Sequence, residues 1–240
     1  MSNSHNLISS NRNDLIASAG KSLVGAVPFV GPLLSELVDT LIPNQRIDRL
    51  TKYVTELEKR LANSDEESLR QRMKEDESIS LMEDGYIHAS RAITDERRAY
   101  IAAIVANGIS DENIKLHDSK YLLGLLSELN DTEIIWLRFY LDPTVGGDEE
   151  FRAQHANILE PAHSYIGAPE PELDKSALQK SYREHLERLG LIRSHIRIDR
   201  NTDMPEFDKI SGKPAVSYRS ITQLGRMLLR EIDMLDEVRS

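Results

Sequence analysis

Apolar residues three and four positions apart recur through the first 140 residues of the chain. Between residues 44 and 61 they form one seam, made of Ile47, Leu50, Val54, Leu57 and Leu61. This spacing places the side chains on one face of a helix. The seam either packs inside a helical bundle or pairs two chains as a coiled coil.

Further helices follow from the same signals. Ser64 and Glu67 have the spacing of a capping box, which opens a helix. Thr94 precedes another helix that we expect to end at Asn107-Gly108. The remaining predicted helices cover 119–129, 132–141 and a second seam, which consists of Ile79, Met82, Tyr86, Ala89 and Ile93.

The N-terminal region is polar over residues 1–13 and then strongly apolar over 15–42. Its longest uncharged run, 22–35, is too short to span a bilayer and contains Pro28 in its middle. Segment 15–42 therefore predicts a helical hairpin, which is either bundle core or a membrane-active or partner-binding element. The apolar residues that would make such contacts are Leu23, Val27, Phe29 and Leu34.

The pattern changes near the C-terminus. A helix is predicted to start at Asp174 and to end at Gly190, with an inward face formed by Leu178, Tyr182, Leu186 and Leu189. Two short alternating segments, 191–198 and 215–221, predict strands, and Thr222 caps a final helix. Helix, strand, long polar loop, strand and helix is the element order of a winged helix.

The predicted fold is therefore mainly α, with a helical hairpin and bundle followed by a winged-helix module that carries one small β-hairpin. The expected organisation is a disordered lead-in (1–13), a helical domain (14–142) that includes the apolar hairpin, a connecting helix and proline-containing loop (143–174), and the winged-helix module (175–240).

Composition restricts the chemistry. The chain has 30 Lys and Arg against 40 Asp and Glu, hence a formal net charge of −10, and it has no cysteine. Disulfides, thiolate nucleophiles and cysteine-ligated metals are excluded, and the composition suits the reducing cytoplasm, where we expect the protein. A net negative chain repels nucleic acid unless it carries a local basic face.

Residues 175–219 offer such a face, because ten basic and six acidic residues give this span +4 while the rest of the chain carries −14. If DNA binds through 175–220, the side chains expected to contact it are Gln179, Lys180, Arg183, Arg197 and Arg200. Winged helices also dock proteins, so a protein partner is the other interpretation.

The sequence shows no catalytic constellation. Ala19-Gly20-Lys21-Ser22 copies the end of a phosphate-binding loop, but Leu15 stands where that loop needs its first glycine. The histidines lack metal-ligand spacing, and no serine stands in a nucleophile motif. We therefore expect no enzymatic activity, no cofactor, no metal and no small-molecule substrate.

Four stretches suggest a family: ITDERRAYIAAIVANGISDE, HDSKYLLGLLSELNDTEIIWL, HLERLGLI and ITQLGRMLL. Over roughly residues 80–235 the chain resembles the bacterial abortive-infection alpha (Abi-alpha) family. The matching elements are Ala103–Asn107, Leu186–Ile192, and a leucine-rich helix with His117, Leu126, Leu129, Glu133 and Leu137. The resemblance implies a bacterial, phage-defence-associated protein with no assigned enzymatic residues.

Two hypotheses follow. The first is a non-enzymatic antiphage-defence protein that acts through a protein partner or self-association, with segment 15–42 as a possible membrane effector. The second is a DNA-binding transcriptional regulator, in which the seam over 47–61 pairs two chains and their winged helices read a palindromic site.

Overall fold

The computed structural model describes residues 44–110, 116–162, 165, 167–200, 202–208 and 212–235. These residues form ten helices and one two-stranded antiparallel sheet near the C-terminus, so the prediction of a mainly α fold with one small β-hairpin is confirmed. The predicted lead-in and apolar hairpin, with Leu23, Val27, Phe29 and Leu34, lie outside the described residues.

Two compact units make up the chain, Met1–Leu126 and Ser127–Ser240, whereas the predicted helical domain covered 14–142. The described helices of the first unit are α1 (Asn44–Leu61), α2 (Glu66–Arg72), α3 (Asp76–Arg91), α4 (Asp95–Ser110) and most of α5 (Leu116–Glu128).

Helix α4 is the centre of the first unit and contacts α1, α2 and α3. Every residue from Ile101 to Ala106 is buried, as expected of a helix that is apolar all round. Leu50, Val54, Leu57 and Leu61 of the α1 seam are buried in this same core. The coiled-coil alternative for this seam is therefore wrong, because its apolar face is already covered within one chain.

Some helix boundaries in this unit differ from the prediction. Helix α4 continues past Gly108, which is needed for close packing: a Cβ there would lie 2.6 Å from Ser119 Oγ. Asp65, not Ser64, caps α2 by accepting a hydrogen bond from the Ser68 N–H at 2.8 Å. Ile93 follows the end of α3 and is 82% exposed, so its predicted place in the second seam is wrong.

The second unit contains α6 (Asp131–Phe139), α7 (Glu149–Gln154), α8 (Ala156–Leu159), α9 (Glu170–Arg188), β1 (Ile192–Ile196), β2 (Val216–Ile221) and α10 (Gln223–Glu231). Helix α9 packs against α6 and β1. It starts at Glu170 rather than at the predicted Asp174, because Pro171 fits the first turn of a helix, where no N–H partner is needed.

The junction between α9 and the sheet was predicted well. Gly190, with φ +72°, ends the helix, and Leu191 N–H bonds back to Leu186 O at 3.0 Å. Strand β1 then pairs antiparallel with β2, with an irregularity after His195. Thr222 Oγ1 accepts from Gly225 N–H at 3.1 Å and so caps α10, as expected.

Candidate functional site

The loop between the two strands is ordered by its own backbone hydrogen bonds where the structure describes it. Arg197 N–H donates to Ala215 O (2.7 Å), Ala215 N–H to Glu206 O (2.8 Å) and Glu206 N–H to Arg197 O (2.9 Å). These three bonds form a closed ring that fixes the segment around Glu206 beside the base of the loop. The hairpin is thus longer than its two strands.

This extended hairpin exposes five large apolar side chains, which we call the hairpin surface: Ile196, Ile198, Met204, Phe207 and Tyr218. Phe207 is 61% exposed and Tyr218 58%. The Tyr218 ring stacks on His195 at 4.1 Å between ring centroids, and His195 Nε2 lies 2.9 Å from Ser220 Oγ. Because neighbouring residues of a strand point to opposite faces, Ile196 lies on the opposite face of the hairpin from His195 and Tyr218. Large apolar side chains exposed on one element are typical of partner-binding surfaces.

The sequence pattern predicted a polar loop over residues 199–214. It did not predict that Met204 and Phe207 form part of the hairpin surface. The signal was present, since Met204 and Phe207 are large apolar residues on either side of Pro205 in a mostly polar stretch. Single apolar residues in loops carry no periodicity, however, and the pattern could not show that the loop folds against the hairpin.

Of the predicted nucleic-acid contacts, Gln179 is not on the outer face of its helix, so that prediction is wrong. The side chain is 4% exposed, and its amide donates to Ile158 O (3.1 Å) and Glu160 O (2.8 Å) while it accepts from Ala162 N–H (3.1 Å). These three hydrogen bonds fix the segment 158–162 against α9. Leu178, predicted to face inward, is instead 53% exposed.

The other four predicted contacts are basic and differ in their surroundings. Lys180 and Arg200 are exposed. Arg197 is also exposed but lies 3.6 Å from Glu206 Oε2. Arg183 is half-buried: its Nε donates to the Gln179 carbonyl (2.9 Å), and its guanidinium carbon lies 5.6 Å from the centre of the Trp136 indole ring. Three of these side chains therefore remain accessible to a polyanion.

Charged groups also lie inside this unit. Arg138, 1% exposed, donates to Asp148 Oδ2 at 2.7 Å, and His185 Nδ1 lies 2.7 Å from Glu133 Oε1. Glu133 Oε2 also accepts from Asn130 N–H at 2.9 Å, which completes the capping box of α6. These side chains are engaged in structural contacts. Across the described residues no three His, Asp or Glu side chains are grouped to hold a metal ion.

The first unit has an open cleft of ≈ 530 Å³ between α1 and the start of α4. Its cations, Lys52 and Arg98, both contact Asp95, with Lys52 Nζ at 3.1 Å. The hydrogen bond from Arg98, and after it the one from Lys52, lowers the pKa of Asp95 below its ordinary value. Both cations of the cleft are thus already paired with Asp95, and the cleft offers little to an anionic ligand.

None of the described helices combines the length and apolar character that a bilayer-crossing helix needs. The chain matches no protein-family model, no curated protein and no solved structure. The Abi-alpha resemblance and the winged-helix assignment therefore stay predictions.

Proposed function

We propose that this protein is a non-enzymatic bacterial antiphage-defence protein of the abortive-infection type, which works in the cytoplasm through protein–protein contacts. The observation that carries the proposal is the hairpin surface, where five large apolar side chains are exposed on one ordered element. The sequence resemblance supplies the defence context, and the hairpin surface supplies the place where a partner would bind.

The chemistry of the hairpin surface favours protein over nucleic acid. Isoleucine, methionine and phenylalanine gain most from burial against another apolar surface, at about 25 cal/mol for each Å² removed from water. The neighbouring charges are mixed, since Arg197 and Arg200 alternate with Asp199, Asp203 and Glu206. A phosphate backbone would meet repulsion as well as attraction there, whereas a protein interface tolerates a rim of both signs.

A phage challenge tests this proposal with matched variants. Tyr218→Ser and Phe207→Ser remove apolar surface from the hairpin, while Tyr165→Ser removes a 61% exposed tyrosine elsewhere in the same unit. We expect wild type and Tyr165→Ser to protect bacteria at low multiplicity of infection and both hairpin variants to lose protection. Absence of protection by the wild type against a broad phage panel would reject the defence function, and equal protection by all variants would reject the hairpin surface.

The same cultures test segment 15–42 as a membrane effector. A membrane-impermeant dye should enter infected cells early if this segment acts on the membrane. Val27→Asp and Leu34→Asp place charges in its longest uncharged run and should prevent dye entry. Protection without dye entry would support the defence function and reject the hypothesis that segment 15–42 acts on the membrane.

A DNA-binding transcriptional regulator built on a winged helix is the second candidate. It is favoured by the exposure of Lys180, Arg197 and Arg200 and by the +4 charge of 175–219. Two results together would replace the first proposal with this one. Duplex DNA would bind in a way that weakens with salt and is lost in Lys180→Glu and Arg200→Glu. Protection against phage would be unaffected by the hairpin variants.

A further inference from the structure

The extended hairpin divides into two short arms beyond the two-stranded sheet. The first arm is closed by the hydrogen bond from Asp199 N–H to Met204 O (2.9 Å), and the second by the one from Asp208 N–H to Lys213 O (2.8 Å). The ring of hydrogen bonds around Glu206 joins both arms to the end of the sheet. The hairpin is therefore a three-way junction of short paired segments.

Six apolar residues of this junction share one face. Residues directly opposite each other in an antiparallel pair lie on the same face, and so do residues two positions apart along one strand. The opposite pairs are Ile196 with Val216, Ile198 with Pro205, and Phe207 with Pro214. Alternation along 196–198, 205–207 and 214–216 links these pairs in a closed cycle. All six residues therefore lie on one face, which we call the apolar face.

The apolar face continues the buried side of the sheet but is itself open to water. Ile192 lies four positions before Ile196 on β1, hence on the same face, and is 2% exposed. By contrast, Ile196 and Ile198 are each 47% exposed and Phe207 is 61% exposed. An uncharged face of this kind gains free energy when another apolar surface covers it.

The opposite face of the junction is polar. Arg197, Glu206 and Ala215 alternate with the residues of the apolar face and so point the other way. Arg197 Nη1 lies 3.6 Å from Glu206 Oε2, which keeps these two charges together on that face. The apolar face is thus the side of the junction that suits an apolar contact.

The prolines of the apolar face restrict how a partner can bind. The N–H groups of Glu206 and Ala215 point into the hydrogen-bonded ring, so the nitrogens of the preceding residues, Pro205 and Pro214, lie on the outer edges of the arms. Proline has no N–H to donate at an edge, where an added strand would need one. A partner should therefore cover the face and not extend the sheet.

The charges of the junction favour a second copy of this chain as the partner. Residues 196–216 contain four basic and four acidic residues, a balance of zero, in a chain whose net charge is −10. Two acids and one arginine between 199 and 204 give the first arm −1, and two lysines and one acid between 208 and 213 give the second arm +1. In a two-fold contact the negative arm of each copy can meet the positive arm of the other.

We propose that the apolar face is the contact between two copies of this chain, which pair face to face around a two-fold axis. Six side chains from each copy are fewer than the roughly 20–30 residues a side of a standard interface, so the dimer should be reversible, with a Kd on the order of 1–100 µM. The inference rests on the proposed function only in assigning the hairpin surface to protein contacts, and the defence context does not enter it.

Sedimentation velocity of the full-length protein tests the contact. Over loading concentrations from about 1 to 300 µM, which bracket the expected Kd, the average mass should rise from monomer toward dimer. Because the charges of the junction balance, the dimer should persist when sodium chloride is raised to about 0.5 M, where exposed ion pairs are screened.

Phe207→Asp and Ile198→Asp place a carboxylate on the apolar face. Each should weaken the dimer at least about a hundredfold, because a two-fold contact buries the new charge twice. Tyr165→Asp is the matched control, since Tyr165 and Phe207 are both 61% exposed, and it should dimerise as wild type does. Circular dichroism and the thermal unfolding midpoint at low concentration show that each variant is folded.

A wild type that remains monomeric at every concentration would overturn the inference, and so would a dimer that all three variants form equally well. The phage challenge decides the proposed function separately. Protection that is lost in Phe207→Ser although the wild type is monomeric would mean that the hairpin surface binds a different protein. A dimer that Phe207→Asp and Ile198→Asp disrupt, in a protein that gives no protection, would support the contact and reject the defence function.

Discussion

The two units of this protein hold their interiors together in different ways. The described part of the first is built around α4, whose six residues from Ile101 to Ala106 are all apolar and all buried. The first unit does bury one arginine, Arg98, but its partner Asp95 is exposed. In the second unit both members of each ion pair are largely removed from water, Arg138 with Asp148 and Glu133 with His185. Arginine side chains also lie over aromatic rings there, as Arg152 does over Phe139 at 4.9 Å.

This difference has a consequence for stability. An apolar core tolerates small losses in many places but is sensitive to cavities at its centre. A buried ion pair adds little net stability over an apolar pair of the same shape, yet removal of one partner is severe because the other charge remains buried. The first unit should therefore be most sensitive to lost volume, and the second to lost charge.

The largest effect is expected in the first unit from Ile104→Ala. Ile104 is fully buried in a helix that is packed on all sides, so the cavity cannot collapse easily. We expect the free energy of unfolding to fall by about 3–4 kcal/mol, within the usual range for such truncations. Urea unfolding followed by far-ultraviolet circular dichroism measures the change.

Ile93→Ala is the control for this prediction, because it removes the same atoms from a side chain that is 82% exposed. It should change the unfolding free energy by no more than about 0.5 kcal/mol. Similar losses in the two variants would show that the buried character of α4 is not what stabilises the first unit.

In the second unit, Asp148→Asn should lower the unfolding free energy by about 3 kcal/mol, because it leaves the buried Arg138 guanidinium without its anion. Asparagine keeps an oxygen that can accept from Phe151 N–H, as Asp148 Oδ1 does at 3.2 Å. It also tolerates the left-handed backbone of this position, where φ is 22°. The lost stability is thus mainly electrostatic. Trp136 lies in this unit, and its fluorescence during urea unfolding measures the change.

Glu149→Gln removes the same charge from the next, exposed residue and should have little effect. The double variant Arg138→Met with Asp148→Asn should recover part of the stability, since no unpaired charge remains. A double variant that is as unstable as the sum of its single changes would contradict a coupled pair and point to packing instead.

The difference between the units also explains what the sequence could predict. Apolar spacing located the helices of the first unit, and caps at Thr94 and Thr222 were identified because one hydroxyl accepts one N–H nearby in sequence. The hairpin strands were found for a similar local reason. Periodicity is a local signal, and it works wherever one face of an element is apolar.

The candidate site was harder to predict because its contacts join residues far apart in the chain. Gln179 has the polar character of a surface residue, and nothing nearby reveals that backbone groups at 158–162 surround it. Charge counts identified the basic span but could not separate accessible side chains from those held in the interior.

The smallest predicted effect concerns Glu58 in the first unit. Its carboxylate is expected to destabilise the fold, whereas that of Asp148 stabilises the second unit. Glu58 Oε1 is buried without a hydrogen-bond partner, and burial raises the pKa of this carboxyl above its ordinary value of 4.5. Its protonated form therefore favours folding below about pH 4.5, and this contribution is lost as the pH rises through the folded-state pKa. At pH 7 the folded protein holds a poorly solvated charge.

Glu58→Gln should consequently stabilise the protein slightly at pH 7 and have no effect at pH 4, as measured by urea unfolding at the two pH values. Glu56 on the same helix contacts Lys59 (3.3 Å) and Arg60 (3.1 Å), so Glu56→Gln should be neutral or slightly destabilising at pH 7. Opposite signs would show that the Glu58 carboxylate destabilises the first unit at pH 7, whereas the Asp148 carboxylate stabilises the second. Destabilisation by Glu58→Gln at pH 7 would mean that the carboxylate has a stabilising contact, and the contrast between the units would then be one of degree.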